Sequence, residues 1–282
     1  MATTKIEFAH ETLNPLVGCS RVSPGCDNCY AVRMAHRFGN NPTVPQYKGL
    51  ATMTPNGPAW TGEVRYVSGV LEKAQARLLK ARSPRRIFMV SMGDLFHPRV
   101  MSLDQGGVFV FMRDLPRHHF IIITKRPATM AEFCRAYWPK PLHNVMLMAT
   151  CEDQQRADER VPHLLKLAAQ GWHTGVIVEP MLGPVNLKTI VVDAAEGEQS
   201  DWIDALRGIR GTGDVVHSDA GRLSWVVCGH EQGPGKREVP IQYPGSLASQ
   251  CARVGVPFFF KKDSAGEFPE GMPRQFPAWM EA

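Results

Sequence analysis

Six stretches of the chain are apolar at consecutive positions and end in polar or glycine-containing turns. They are Arg86-Ile-Phe-Met-Val-Ser-Met-Gly-Asp94, Phe120-Ile-Ile-Ile-Thr-Lys-Arg-Pro127, Val145-Met-Leu-Met-Ala-Thr-Cys-Glu-Asp153, Gly175-Val-Ile-Val-Glu-Pro180, Leu223-Ser-Trp-Val-Val-Cys-Gly-His-Glu231 and Val256-Pro-Phe-Phe-Phe-Lys-Lys262. A strand with one face in water alternates apolar and polar residues. A strand covered on both faces does not, so continuous runs point to a parallel sheet. Between them, apolar residues recur at helical spacing: Val70-Leu71, Ala74, Leu78 and Leu79; Val108, Phe111, Met112 and Leu115; Val161, Leu164, Leu165 and Ala168; Leu247, Cys251 and Val254. The polar run Asp153 to Arg160 is expected to precede the third of these helices. Strand and helix in alternation predict a parallel α/β fold.

Two segments break the rhythm. Residues 191–222 are rich in glycine and charge and read as a surface insertion with one short helix around Trp202 to Leu206. Gly39 to Gly62, rich in Pro, Gly and Asn, reads as a long ordered loop. Polar residues gather where the apolar runs end: Asp94, Thr124-Lys125-Arg126, Thr150 to Glu152, Glu179, His230-Glu231 and Lys261-Lys262. In barrels and open α/β sheets, ligands bind at that end of the strands.

Composition narrows this picture. A chain of 282 residues with 44% hydrophobic residues can bury a large core, either as two small domains or as one barrel-sized domain. A single barrel domain over residues 1–282 is the expectation. The net charge of +5 suits a nucleic-acid partner as well as an ordinary surface. No apolar run reaches membrane-spanning length, and Met1 to His10 lacks the apolar core of a secretion signal. A reducing cytoplasm is therefore expected. There, cysteines serve as metal ligands, catalytic groups or small hydrophobes. Their number, seven, is odd and argues against a complete disulfide framework.

Three of the seven lie in Val17-Gly-Cys-Ser-Arg-Val-Ser-Pro-Gly-Cys-Asp-Asn-Cys-Tyr30. Gly18, Pro24 and Gly25 let such a loop curl so that its sulfurs face one region. Three readings compete. Cys19, Cys26 and Cys29 can hold an iron–sulfur cluster, with one iron open to S-adenosylmethionine (SAM). They can form a structural zinc site, with His36 as fourth ligand, although His36 stands nearly two turns along the helix expected after Tyr30. They can also be buried, inert thiols.

The loop and the later strands together resemble the phage and prophage three-Cys-motif proteins of the radical SAM superfamily, relatives of spore photoproduct lyase. The resemblance rests on Asn14-Pro-Leu-Val-Gly-Cys19, Ser23-Pro-Gly-Cys-Asp-Asn-Cys-Tyr-Ala31, Ser91-Met-Gly-Asp-Leu-Phe96, Thr124-Lys-Arg-Pro127, Val178-Glu-Pro-Met-Leu-Gly-Pro184, Gly229-His-Glu-Gln-Gly-Pro234 and Gly255-Val-Pro-Phe-Phe-Phe-Lys261. The chain departs from the family's pattern at Leu13, where a tryptophan is usual, and at Gly229-His-Glu-Gln232. Its cysteines are also spaced more widely than in most radical SAM enzymes.

The resemblance implies a partial (β/α) TIM-type barrel, a [4Fe-4S] cluster on Cys19, Cys26 and Cys29, and SAM bound at the carboxyl ends of the strands. It implies that the turn Gly93-Asp94 receives the SAM ammonium, with an acid against an amine. Thr150, Glu152, Glu179 and Glu231 are then candidates for the ribose and sulfonium side. Lys125, Arg126 and Lys261, with Lys262 beside it, are candidates for an anionic substrate. Cys151 is a candidate hydrogen-atom donor, whereas Cys134, Cys228 and Cys251 read as packing residues. The implied activity is SAM cleavage to a 5′-deoxyadenosyl radical for work on a nucleic-acid base or nucleotide, with an electron donor as partner. Trp60, Phe96 and Tyr47 are candidate walls for a base pocket. The alternative is a zinc- or cluster-stabilised binding module without catalysis.

Overall fold

The structure, a computed structural model, describes residues 4–192, 201–212, 215–218 and 220–281. The chain packs as two compact units, Met1–Thr124 and Lys125–Ala282. Unit 1 contributes three parallel strands, β1 (Glu11–Leu13), β2 (Arg86–Met89) and β3 (His119–Thr124). Unit 2 contributes four, β4 (Val145–Thr150), β5 (His173–Val178), β6 (Trp225–Cys228) and β7 (Phe258–Phe260). The fold is mixed α/β with a seven-stranded parallel sheet, the expected partial TIM-type barrel.

In unit 1, β1 pairs Leu13 with Met89 of β2, and β2 pairs Met89 with Ile122 of β3. Helices α1 (Tyr30–Phe38), α2 (Val70–Leu78) and α3 (Ser102–Arg113) fill the connections. Helix α1 buries Ala31 and Ala35 against Val17, Tyr47, Leu50 and Met92. The segment expected to be a long loop is more regular than that. It holds a short 3₁₀ turn, Pro45–Tyr47, and a hairpin of Ala51–Thr54 with Gly57–Trp60. Pro55-Asn56 forms the two-residue turn, and Gly57, paired with Thr54 as the return strand begins, takes φ +102°. Trp60 packs against the α1 cluster, and Tyr47 and Phe96 are buried, so these aromatics serve the core.

In unit 2, all six residues of β4 are buried, as its unbroken apolar run requires. Helices α4 (Pro127–Tyr137), α5 (Gln154–Ala169) and α6 (Gln242–Ala252) belong to this unit. The polar run after Asp153 does not precede α5; it forms the helix's opening turns. Asp153 is the N-cap, and its carboxylate accepts the Arg156 N–H at 2.9 Å.

The insertion differs most from expectation. Ile190–Val192, Asp201–Asp204, Ile209–Thr212 and Val215–His217 form a four-stranded antiparallel sheet. No helix forms around Trp202. Asp204 accepts the N–H groups of Leu206 and Arg207, each at 3.1 Å, and so fixes a tight turn where a helix would have to continue. The stretch Glu196 to Ser200 lies outside the described residues.

Candidate functional site

Within unit 1 the cysteine loop lies between β1 and α1, and hydrogen bonds to the main chain after β2 seat it. Asn14 Oδ1 accepts the Ser91 hydroxyl at 3.1 Å and the Met92 N–H at 3.0 Å. Gly18 N–H donates to Met92 O at 3.0 Å. A Cβ on Gly93 would lie 2.8 Å from Gly18 O, and one on Gly18 would lie 2.2 Å from Glu63 O. Gly18 also has φ +99°, so both positions require glycine. Nearby, Val90 has φ +59°, which is strained for a β-branched residue. Its N–H is held by Leu13 O at 2.8 Å.

None of the seven cysteines forms a disulfide, and they divide into two groups. Cys19, Cys26 and Cys29 are partly exposed, whereas Cys134, Cys151, Cys228 and Cys251 are buried. Burial pushes Cys134 and Cys251 up to about 12 and raises Cys151 and Cys228 further. A 3₁₀ turn, Pro24–Cys26, folds the loop, and Cys29 caps α1. The Val22 N–H points at Cys26 Sγ at 3.5 Å. Among the described residues, no three His, Cys, Asp or Glu side chains group closely enough to hold one metal ion.

Two residues that sequence reasoning passed over support the loop. His97 is buried; its Nδ1 accepts the Arg99 N–H at 3.2 Å, leaving Nε2 to donate to Ser20 Oγ at 2.9 Å. Tyr30 Oη donates to Ser91 O at 2.8 Å. Neither residue has a motif of its own; their signal is only their nearness to Cys19 and Cys29 in space. Asp94 is buried, and its Oδ1 accepts the Phe96 N–H at 3.0 Å and the Thr124 hydroxyl at 2.7 Å. Gly93 is next to it, at the seam with Gly18.

In unit 2, registry explains the main polar contact. Val178, Cys228 and Phe260 are partners across β5, β6 and β7. The ladder continues one residue on, through Gly229 N to Val178 O at 3.1 Å and Lys261 N to Cys228 O at 2.8 Å. Glu179, Gly229 and Lys261 therefore stand abreast on one face. Because the middle residue has no side chain, Lys261 Nζ reaches both Glu179 oxygens at 2.7 Å. Thr150 pairs with Ile177, which puts it on that same face.

Other candidates are committed elsewhere. Glu152 is fully buried, and its Oε2 accepts Arg160 Nη1 at 2.8 Å; the same nitrogen donates to Thr150 O at 2.6 Å. Buried Glu231 accepts Arg237 through its N–H at 2.8 Å, Nε at 2.9 Å and Nη2 at 2.5 Å. Cys151 alternates to the face opposite Thr150, and the charges bearing on it after desolvation begin with Arg160 of α5. Arg126 is the N-cap of α4, and Lys125 and Arg126 are partly exposed. Lys262 Nζ lies 5.4 Å from the Phe268 ring centre. His230 is buried, edge-on to Phe260 at 5.9 Å, with no hydrogen bond to either ring nitrogen among the described residues. Burial lowers its pKa.

Parallel strands with polar groups at their carboxyl ends and a three-thiol loop after the first strand define a partial-barrel α/β protein of the cysteine-loop kind. The family model described as "Protein of unknown function (DUF5131)" matches residues 3–274, and the chain belongs to that family. No curated protein matches the chain. Similar solved structures are spore photoproduct lyases. A doubly substituted form with bound AdoMet and dinucleoside spore photoproduct has a TM-score of 0.48 at 11% identity, covering 95% of this chain and 59% of that one. A form complexed with dinucleoside spore photoproduct has a TM-score of 0.44 at 14% identity, covering 63% and 47%. The chain thus spans about half the length of those proteins. No helix among the described residues is long and apolar enough to cross a membrane.

Proposed function

We propose that this chain is a radical SAM enzyme whose [4Fe-4S] cluster is held by Cys19, Cys26 and Cys29, and whose substrate is a nucleic-acid base or nucleotide. The division of the cysteines carries the reading. Four thiols are buried and held protonated, while the three on one loop are partly exposed. The donor set suits a cluster better than zinc. One zinc ion needs its ligands on a common point at about 2.0–2.3 Å, whereas thiolates holding a cubane each take a different iron. Three thiolates are one ligand short of a closed zinc site and match a cubane with one open iron.

When bound, the cluster supplies the electron that splits SAM into methionine and a 5′-deoxyadenosyl radical. The chain's own residues do the rest. The Val22 N–H directed at Cys26 Sγ orients that sulfur. The glycine seam and Asn14 set the height of the loop. Asp94, oriented by Phe96 N–H and Thr124, receives the SAM ammonium. Thr150 and Glu179 serve the ribose and sulfonium side, with Lys261 fixing the Glu179 carboxylate. Lys125 and Arg126 meet substrate anions. Glu152 and Glu231, each clasped by an arginine, keep strand ends in place. The nucleic-acid part of the reading rests on the motif resemblance and the net charge of +5.

The test is anaerobic purification followed by iron analysis and reduction in the presence of SAM. About four irons per chain and release of 5′-deoxyadenosine are expected, both lost on replacing any of the three loop cysteines with alanine. Colourless protein with one zinc and no SAM cleavage would overturn the reading in favour of a zinc-stabilised binding module. Cys151→Ala is expected to leave product and turnover unchanged, since that thiol sits on the face α5 covers.

A further inference from the structure

We propose that the antiparallel sheet of Ile190–Val192, Asp201–Asp204, Ile209–Thr212 and Val215–His217 carries a nucleotide-binding groove that takes a nucleobase together with its phosphate. A cavity of about 470 Å³ opens on this sheet and on the strap before it. That volume lies within the roughly 300–1,000 Å³ of small-molecule sites. Its lining includes Trp202, Lys188, Arg207, Asn186 and Thr189.

The indole is a fixed platform. Trp202 pairs across the strands with Gly211. A Cβ on Gly211 would lie 2.6 Å from Trp202 Cζ2. The ring therefore rests on bare main chain, and any larger residue at 211 would push it off. Its remaining surface lines the cavity. Aromatic faces of this kind hold bases with little regard to sequence.

The charges around the platform suit a phosphate. Lys188 makes no ion pair with any described residue. The one acid in the lining, Asp204, is buried and already accepts two main-chain N–H groups. Arg207 Nη1 lies 3.5 Å from its other oxygen and still exposes about half of its side chain. Asn186 Oδ1 accepts the Lys188 N–H at 3.1 Å, and its amide nitrogen remains a donor in the lining. An apolar ligand would leave these groups unsatisfied, and an acidic peptide would leave the indole unused. A base with its phosphate uses both. The groove lies wholly within unit 2 and stands whether or not the loop cysteines hold a cluster.

The experiment is fluorescence-polarisation binding of labelled twelve-nucleotide single-stranded DNA and RNA to the full chain, over a salt series. Binding that weakens with salt is expected. Trp202→Ala should weaken it roughly five- to hundredfold. Lys188→Ala should lower the salt slope by about one. Trp202→Phe keeps a stacking face, so retained affinity there, against loss in the alanine variant, assigns the effect to stacking even if the alanine variant folds less well. Competition by AMP and GMP separates the sources: full displacement points to a free nucleotide, partial displacement to a strand. No binding by the wild-type chain, or binding unchanged in both Trp202→Ala and Lys188→Ala, would overturn the proposal. SAM cleavage measured on the same samples separates this outcome from failure of the radical reading.

Discussion

Replacing Arg160 tests whether Glu152 belongs to the frame of unit 2 or to a ligand. The Glu152 side chain is 0% exposed and that of Arg160 6%. One guanidinium nitrogen serves both the Glu152 carboxylate and the Thr150 carbonyl. Arg160→Met keeps length and apolar stem but strands a buried carboxylate without its counter-ion. Breaking a buried pair from one side costs about 3–5 kcal/mol. The Thr150 carbonyl also loses a charge-assisted donor. With a urea m-value near about 3 kcal/mol/M, the unfolding midpoint should fall by roughly 1–2 M. Glu152→Leu combined with Arg160→Met removes both charges. It should recover most of that loss, because replacing a whole buried pair by apolar groups is often close to neutral. The assay is urea unfolding of the four members of the cycle, followed by far-UV circular dichroism. A loss below about 1 kcal/mol for Arg160→Met, or no recovery in the double variant, would refute the reasoning. The first result would mean that water reaches the pair, and the carboxylate would again be a ligand candidate.

Thiol counting gives a second check: native apoprotein at pH 8 should react quickly with a disulfide reagent at three of its seven cysteines, and at all seven once unfolded. Cys134 and Cys251 have folded pKa values raised to about 12 by burial, above their unfolded values. Their contribution is therefore whole below about pH 8.5 and is lost as pH climbs toward 12, by about 1.4 kcal/mol per pH unit per thiol. Unfolding midpoints at pH 7, 9 and 10.5 should show the decline, and the Cys134→Val, Cys251→Ala double variant should make it shallower without abolishing it, because buried Cys151 and Cys228 are raised in the same direction. Gly229→Ala, whose Cβ would lie 3.2 Å from both Glu179 Oε1 and Lys261 Cβ, should be tolerated within about 1 kcal/mol, while Gly229→Val should cost about 1–3 kcal/mol. SAM affinity by calorimetry is expected to weaken in the valine variant.

The parallel strands were legible wherever burial on both faces made them apolar without interruption. The exception was β1: it is three residues long and partly exposed, and Glu11 within it pairs with Arg77. Nothing in Glu11-Thr-Leu13 distinguishes it from a loop until β2 supplies its partner. The opening turns of α5 were polar because Gln155 and Glu159 face outward while Arg160 turns inward to Glu152, and only the Asp153 cap reveals where the helix starts. Trp202 and Ile203 follow charged and glycine-rich sequence, so their strand is set by pairing with Ile209 to Gly211 and not by local pattern. The cysteine loop was visible as spacing. The commitments of Glu152 and Glu231 were not, because an acid at a strand end looks the same whether or not an arginine six or eight residues later folds back onto it.

The seam between Gly18 and Gly93 governs how the cysteine loop can drift over evolution. Two main chains touch there with no side chain between them, so Cys19 is fixed by backbone and not by the residues that follow it. Arg21, Val22 and Asp27 are exposed, and Arg21 reaches Asp27 across the loop at 2.8 Å. Changes at these outer positions therefore leave the backbone joint beside Cys19 in place. The same economy makes the segment from Gly18 to Cys29 a natural cassette for exchange between relatives, with the two glycines as its fixed joint.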